Sequence, residues 1–130
     1  ASASIFDTLH RAPRSAPARR SVYPSQVLPL LLQAALEGVM KRGGAKPGDK
    51  TMVDALAPAA EAAAKAIGQP LPEALAAAAA GAEAGTEASK AMVAQFGRAK
   101  TLGDACIGFP DAGACSVTVI LSAMRDYAAA

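Results

Sequence analysis

The chain has 130 residues, 13 Lys and Arg against 11 Asp and Glu for a formal charge of +2, and 52% apolar residues without a single Trp. A balance so near neutral leaves no electrostatic footprint for nucleic acid, and no uncharged run approaches the length of a membrane span. The length suits one domain able to bury roughly two-thirds of its unfolded surface. Alanine supplies much of the apolar fraction, which favours an all-α protein whose helices approach closely.

Residues 1–11 place Ile5, Phe6 and Leu9 at helical spacing. This opening without a polar lead-in is expected of the interior of a longer domain. Residues 11–21 read as a basic linker, in which Arg11, Arg14, Arg19 and Arg20 follow His10 and are interleaved with Pro13 and Pro17. Such a cluster either attracts phosphates or an acidic partner or is a solvated connection. It has no aromatic residues to stack on bases.

The spacing predicts a helix over Pro24–Arg42, with Gln26, Gln33 and Glu37 on one narrow polar face and Val27, Leu28, Leu30, Leu31, Leu32, Leu36, Val39 and Met40 around the rest. A helix this apolar is expected to be buried on most sides. Gly43 caps its end, and Pro47-Gly48 forces a turn. Asp49 or Thr51 can cap the next helix by accepting a backbone N–H. That helix, Thr51–Ile67, is read with a polar strip of Asp54, Glu61 and Lys65 and an inward face of Met52, Val53, Leu56, Ala59, Ala60, Ala63 and Ile67. Pro58 removes one of its internal hydrogen bonds. Pro72 then opens a nearly all-alanine helix to about Gln95, with Glu73 well placed against its dipole. A last helix, Ala114–Tyr127, is expected to bury Val117, Val119, Ile120 and Met124. No stretch alternates with period two, so no sheet is predicted.

Between the last two helices lies Gly97–Ser116, GRAKTLGDACIGFPDAGACS, with four glycines, Arg98, two aspartates and both cysteines. A loop of this length inside a compact domain is uncommon and usually functional. It reads either as a ligand-covering lid or as a structural connection. Without a Cys-x-x-Cys motif, Cys106 and Cys115 are expected as reduced thiols of a cytoplasmic protein. In an antiparallel bundle, loops separated by two helices share an end, so Gly43–Met52 and Gly97–Ser116 should meet there. That end would collect Arg98, Asp111, Lys50 and backbone N–H groups, a composition suited to an anion. The chain has no Walker-type loop, no paired carboxylates and no Ser-His-Asp set. Its aspartates are scattered, so no residue is assigned as catalytic and none as a metal ligand.

GGAKPGDKTMVDAL at Gly43–Leu56, followed by the Gly97–Ser116 segment, resembles the DhaL family, the nucleotide-binding subunit or domain of dihydroxyacetone (glycerone) kinases. The family runs Gly-Asp-Lys-Thr-Met, then Gly-Arg-Ala-Ser-Tyr-Leu-Gly, then Ile-Gly-His-Gln-Asp-Pro-Gly-Ala. The opening Ala1-Ser2-Ala3-Ser4 is similar to the end of the family's Gly-Gly-Ala-Ser phosphate-binding turn. The resemblance covers nearly the whole chain but only the C-terminal part of the family's domain. It implies an antiparallel helical bundle of about five helices spanning residues 1–130, part of an eight-helix barrel that holds ATP or ADP with Mg²⁺ at one end.

On that resemblance, Ala1 and Ser2 would touch phosphate, Gly43 and Met52 would line the adenine side, and Arg98 would contact the nucleotide. Asp111, Ala112 and Gly113 would form a capping loop. The implied partners are a DhaK-like substrate-binding subunit or domain and, as donor, ATP or a phosphotransferase-system phosphoryl carrier. Phosphoryl transfer would go to a hydroxyl of a small ketone.

The sequence departs from the family pattern at Lys100-Thr101 and at Phe109-Pro110-Asp111-Ala112-Gly113. The family's Asp-rich Mg²⁺ motif lies upstream of these residues, so the chain alone is expected to be inactive. The alternative is a degenerate, non-catalytic helical module that binds a protein partner or regulates a kinase. An incomplete barrel would also expose apolar faces and invite self-association, a homodimer being the simplest form.

Overall fold

The computed structural model describes residues 24–129. The expected first helix at 1–11, the basic linker at 11–21, and Ala1 and Ser2 lie outside the described residues. Four α-helices follow in order, α1 (Pro24–Gly43), α2 (Val53–Lys65), α3 (Leu71–Ala88) and α4 (Ala112–Ala129). Short 3-10 turns cover Ser89–Ala91 and Arg98–Cys106. No strand occurs among the described residues, so the domain is all-α, as its alanine content predicts.

The helices pack in chain order, α1 on α2, α2 on α3 and α3 on α4. The contacts make successive neighbours antiparallel. Asp54 at the start of α2 meets Gly85 near the end of α3, and Pro58 meets Gly81 one turn back. The Thr86 and Thr118 hydroxyls, at the end of α3 and in the first half of α4, are 2.8 Å apart. Leu71 and Leu75 at the opposite end of α3 share a cavity with Ala123–Ala128 of α4.

The core joins Leu28, Leu32 and Leu36 of α1 to Val53, Leu56, Ala59 and Ala63 of α2, and these to Ala74, Leu75, Ala78 and Ala82 of α3. Each buried leucine contributes roughly 2 kcal/mol. The alanines contribute less individually, but they let the axes come close enough for backbone to touch side chain.

Several expectations are corrected. Asp54 is not part of a solvated strip: it is 5% exposed, while Met52 and Ile67 at the two ends of the expected inward face are exposed. The reason lies in the turn before α2, which needs a buried acceptor. The helix expected to run from Pro72 to Gln95 ends at Ala88 and breaks up after the 3-10 turn, because its last carbonyls find other donors. Ser89 O accepts from the Lys50 ammonium and Lys90 O from the Gly108 N–H, while the Ala94 N–H turns to the Cys106 sulfur.

The expected loop Gly97–Ser116 is mostly helical, and α4 begins two residues early, at Ala112. Val119 (67% exposed), Ile120 (58%) and Met124 on α4 are exposed rather than buried. Among the described residues, this helix packs through Ala114, Val117 and Leu121 on one side only. Leu30 of α1 is likewise exposed. Both cysteines are free thiols, and no helix among the described residues is long and apolar enough to cross a membrane.

Candidate functional site

The turn between α1 and α2 is organised by two aspartates. The Asp54 carboxylate accepts the Gly48 N–H at 2.7 Å through Oδ1 and the Thr51 N–H at 2.9 Å through Oδ2. Thr51 Oγ1 in turn accepts the Val53 N–H, so the expected Thr51 cap takes the form of a short side-chain turn.

Asp49 instead looks backward and accepts the Lys46 N–H at 3.0 Å and the Lys46 ammonium at 3.1 Å. The backbone bond from Lys46, joined by its ammonium, holds the Asp49 carboxyl below the ordinary 3.8. A carboxyl depressed by folding stabilises the fold above its unfolded value and loses that contribution as pH falls through its folded value. The Lys46 amide resonance is therefore expected to titrate with a midpoint under 3.8. A midpoint at or above that value would contradict the hydrogen bond.

The segment after α3 folds back onto this turn. The Gln95 N–H donates to Asp49 O at 3.1 Å, and the Gly108 N–H to Lys90 O. Ser89 is fully buried, and its hydroxyl donates to Thr86 O while accepting the Asp111 N–H at 2.9 Å. Asp111 then starts α4 by accepting the Ala114 N–H at 2.9 Å through Oδ2, the geometry of an N-cap. The Ala112 and Gly113 N–H groups head the same helix, where no intrahelical acceptor is available to them.

These pieces enclose a cleft of about 410 Å³. Gly43, Thr51 and Met52 form one wall, and Phe96–Ala99 and Asp111–Gly113 form the other. A Cβ placed on Gly113 would lie 3.2 Å from the Met52 Cβ and 3.1 Å from Asp111 Oδ2, so glycine lets the head of α4 approach α2. Arg98 is exposed at the rim, and its guanidinium makes no ion pair among the described residues. A cleft with apolar walls, one free guanidinium and a helix N-terminus has the donor set for a flat heterocycle carrying phosphates.

Six residues assigned from the sequence, Gly43, Met52, Arg98, Asp111, Ala112 and Gly113, thus line one cleft. The two glycine-rich segments do meet at one end of the bundle. Lys50 lines the same cleft, as expected, but it is 3% exposed and its ammonium is spent on backbone carbonyls rather than offered to an anion. No group of three or more His, Cys, Asp or Glu able to hold a metal ion occurs among the described residues.

Comparison with known proteins agrees with the two motifs. A sequence profile of the DAK2 domain matches residues 3–126. The chain belongs to the DAK2 family. Among the relatives of this DAK2 chain, the ADP-binding subunit DhaL of the PEP-dependent dihydroxyacetone kinase of Escherichia coli is 37% identical over 93% of the chain and 59% of that subunit. The L-erythrulose 1-kinase of Mycolicibacterium smegmatis is 37% identical over 72% of the chain, and the L-erythrulose kinase of Pectobacterium atrosepticum 42% identical over the same share. The chain covers 16% of the length of each of these two kinases.

Two residues of the site, Asp54 and Ser89, escape a reading by periodicity, and the carbonyl partners of Lys50 escape it too. Only Asp54 carries a usable signal. Thr51-Met52-Val53-Asp54 has the capping-box spacing, in which the fourth residue's carboxylate reaches back to the first residue's N–H, and the Thr51 N–H is indeed bound in this way.

Proposed function

We propose that this chain is the nucleotide-binding part of a dihydroxyacetone-type kinase, and that ADP or ATP occupies the cleft between the Gly43–Met52 turn and the head of α4. The observation that carries this reading is the convergence of six motif residues on one cleft, with Arg98 exposed at its mouth. The family membership and the ADP-binding name of the E. coli relative support it.

In this reading Met52 and Gly43 receive the adenine. Arg98 faces the phosphates, and the Ala112 and Gly113 N–H groups add the positive end of the α4 dipole. Ala1 and Ser2 complete the phosphate side. Asp111 holds the helix start in place through its cap rather than by touching the ligand. The phosphoryl group passes to a hydroxyl of a short ketose presented by a DhaK-like subunit or domain. Magnesium would neutralise phosphate charge in that step, with its ligands supplied from outside residues 24–129.

Calorimetric titration of ADP into the purified chain, with and without Mg²⁺, tests the reading. Losing one charge-assisted contact in Arg98→Ala is expected to raise Kd about tenfold, with thermal stability unchanged because Arg98 is exposed and unpaired. A folded chain that binds no ADP would overturn the proposal and leave a partner-binding module.

A further inference from the structure

Lys50 is buried in the wall of the cleft and uses none of its donors on a carboxylate or on solvent. Its ammonium donates to Ser89 O at 2.7 Å, Cys106 O at 3.1 Å and Phe109 O at 2.5 Å. A lysine ammonium has three N–H groups, so these three carbonyls exhaust it. The carbonyls come from three separate places: the end of α3, the end of the Arg98–Cys106 turns, and the strap leading into α4.

Lys50 is also the one non-glycine residue at positive φ (+60°) among the described residues, a conformation that costs free energy outside glycine. Something must offset both that cost and the burial of the charge, and the three carbonyls are the groups that do so.

The wall segment Arg98–Asp111 has little else to hold it. Its large apolar side chains Leu102, Ile107 and Phe109 are all exposed. Its other ties among the described residues lie at its ends or are weak: the Gly108 and Asp111 N–H bonds to the α3 end, the bonds Asp111 accepts from Ala114 and Cys115 of α4, and the contacts of the Cys106 sulfur. Among the described residues, Lys50 is the side chain of the α1–α2 turn that hydrogen-bonds to it.

We infer that Lys50 is a latch that locks the Arg98–Asp111 wall against the α1–α2 turn, a positioning residue that sets the affinity of the cleft by ordering its wall rather than by contact with a ligand. The part concerning affinity rests on the nucleotide reading above; the part concerning the wall does not. Without the latch, binding must first order the wall, and that cost appears as lost affinity. The ammonium is needed for its three divergent donors, so the planar fork of arginine fits imperfectly but keeps the charge.

Hydrogen exchange of the whole chain, resolved by peptide and run with and without ADP, tests the latch on Lys50→Met and Lys50→Arg. In Lys50→Met, amides of 98–111 are expected to exchange about tenfold faster or more, while the α2 and α3 core stays within about twofold, as for a local opening. Kd for ADP is expected to rise about tenfold, and saturating ADP to restore protection of 98–111 more than in the parent. Lys50→Arg is expected to lie between the two.

A wall that stays protected in Lys50→Met overturns the latch; if ADP affinity nevertheless falls, Lys50 acts by direct contact. Exchange that rises equally in the core of both variants also overturns it, because Lys50 would then be a residue of general stability. Failure of the parent chain to bind ADP would refute the nucleotide reading, and the exchange of 98–111 without ligand would still decide the latch.

Discussion

Gly85→Ala is expected to destabilise the domain by about 3 kcal/mol or more, at the upper end of what overpacking costs. A Cβ at Gly85 would fall onto the Asp54 carbonyl oxygen and 2.7 Å from Pro58 Cγ. Both neighbours resist displacement, one being helix backbone and the other a proline ring. Alanine's better helix propensity returns only about 1 kcal/mol, so the clash decides the sign. The α2–α3 axes must separate, and the small alanines between them lose contact together.

Thermal unfolding should show a midpoint lower by roughly 12 °C or more for a domain of this size. Gly81→Ala, whose Cβ would sit 2.6 Å from Pro58 O, is expected to follow in the same direction. Gly43→Ala is the control, since nothing lies within 4 Å of its Cβ. A Gly85→Ala protein as stable as the parent would mean that the two helices do not cross this closely.

Asp54→Ala is expected to cost about 2–3 kcal/mol, the penalty for leaving two backbone donors without their charged acceptor. The donors are the N–H groups of Gly48 and Thr51. Removing the carboxylate frees the turn that presents Thr51 and Met52 to the cleft, so ADP binding should weaken along with stability. Asp54→Asn separates the two effects. Its amide keeps one acceptor oxygen but turns an N–H₂ toward the second donor, so about half of the loss is expected. Urea denaturation of the parent and both variants checks the order Asp, Asn, Ala. Equal stability of all three would show that the turn is held elsewhere.

The Gly85 expectation rests on contacts between α2 and α3 that no local pattern contains, whereas half of the Asp54 expectation is written in the Thr51–Asp54 spacing. Periodicity and composition determined the all-α class, the helices starting near Pro24, Val53 and Leu71, and the positions of the two glycine-rich segments. Even-helix spacing put those segments at one end, and the motif residues Gly43, Met52, Arg98, Asp111, Ala112 and Gly113 were legible by family pattern. These features are local or depend only on helix count, so the chain states them directly.

Tertiary structure decided the rest. Asp54 sits at a position that a helical wheel assigns to solvent, and only the curl of the preceding turn brings two N–H groups onto it. Lys50 reads in sequence as a cation available to an anion at that end, yet three carbonyls from distant chain positions capture its ammonium. The helix after Pro72 has alanine-rich propensity to continue, but competing donors take the carbonyls that would have extended it. Val119 and Ile120 are apolar at helical spacing and still face outward, because burial requires a neighbour, and among the described residues α4 has one on a single side. Propensity and periodicity describe what a segment offers. Which offer is taken depends on groups that only the folded chain brings within hydrogen-bonding distance.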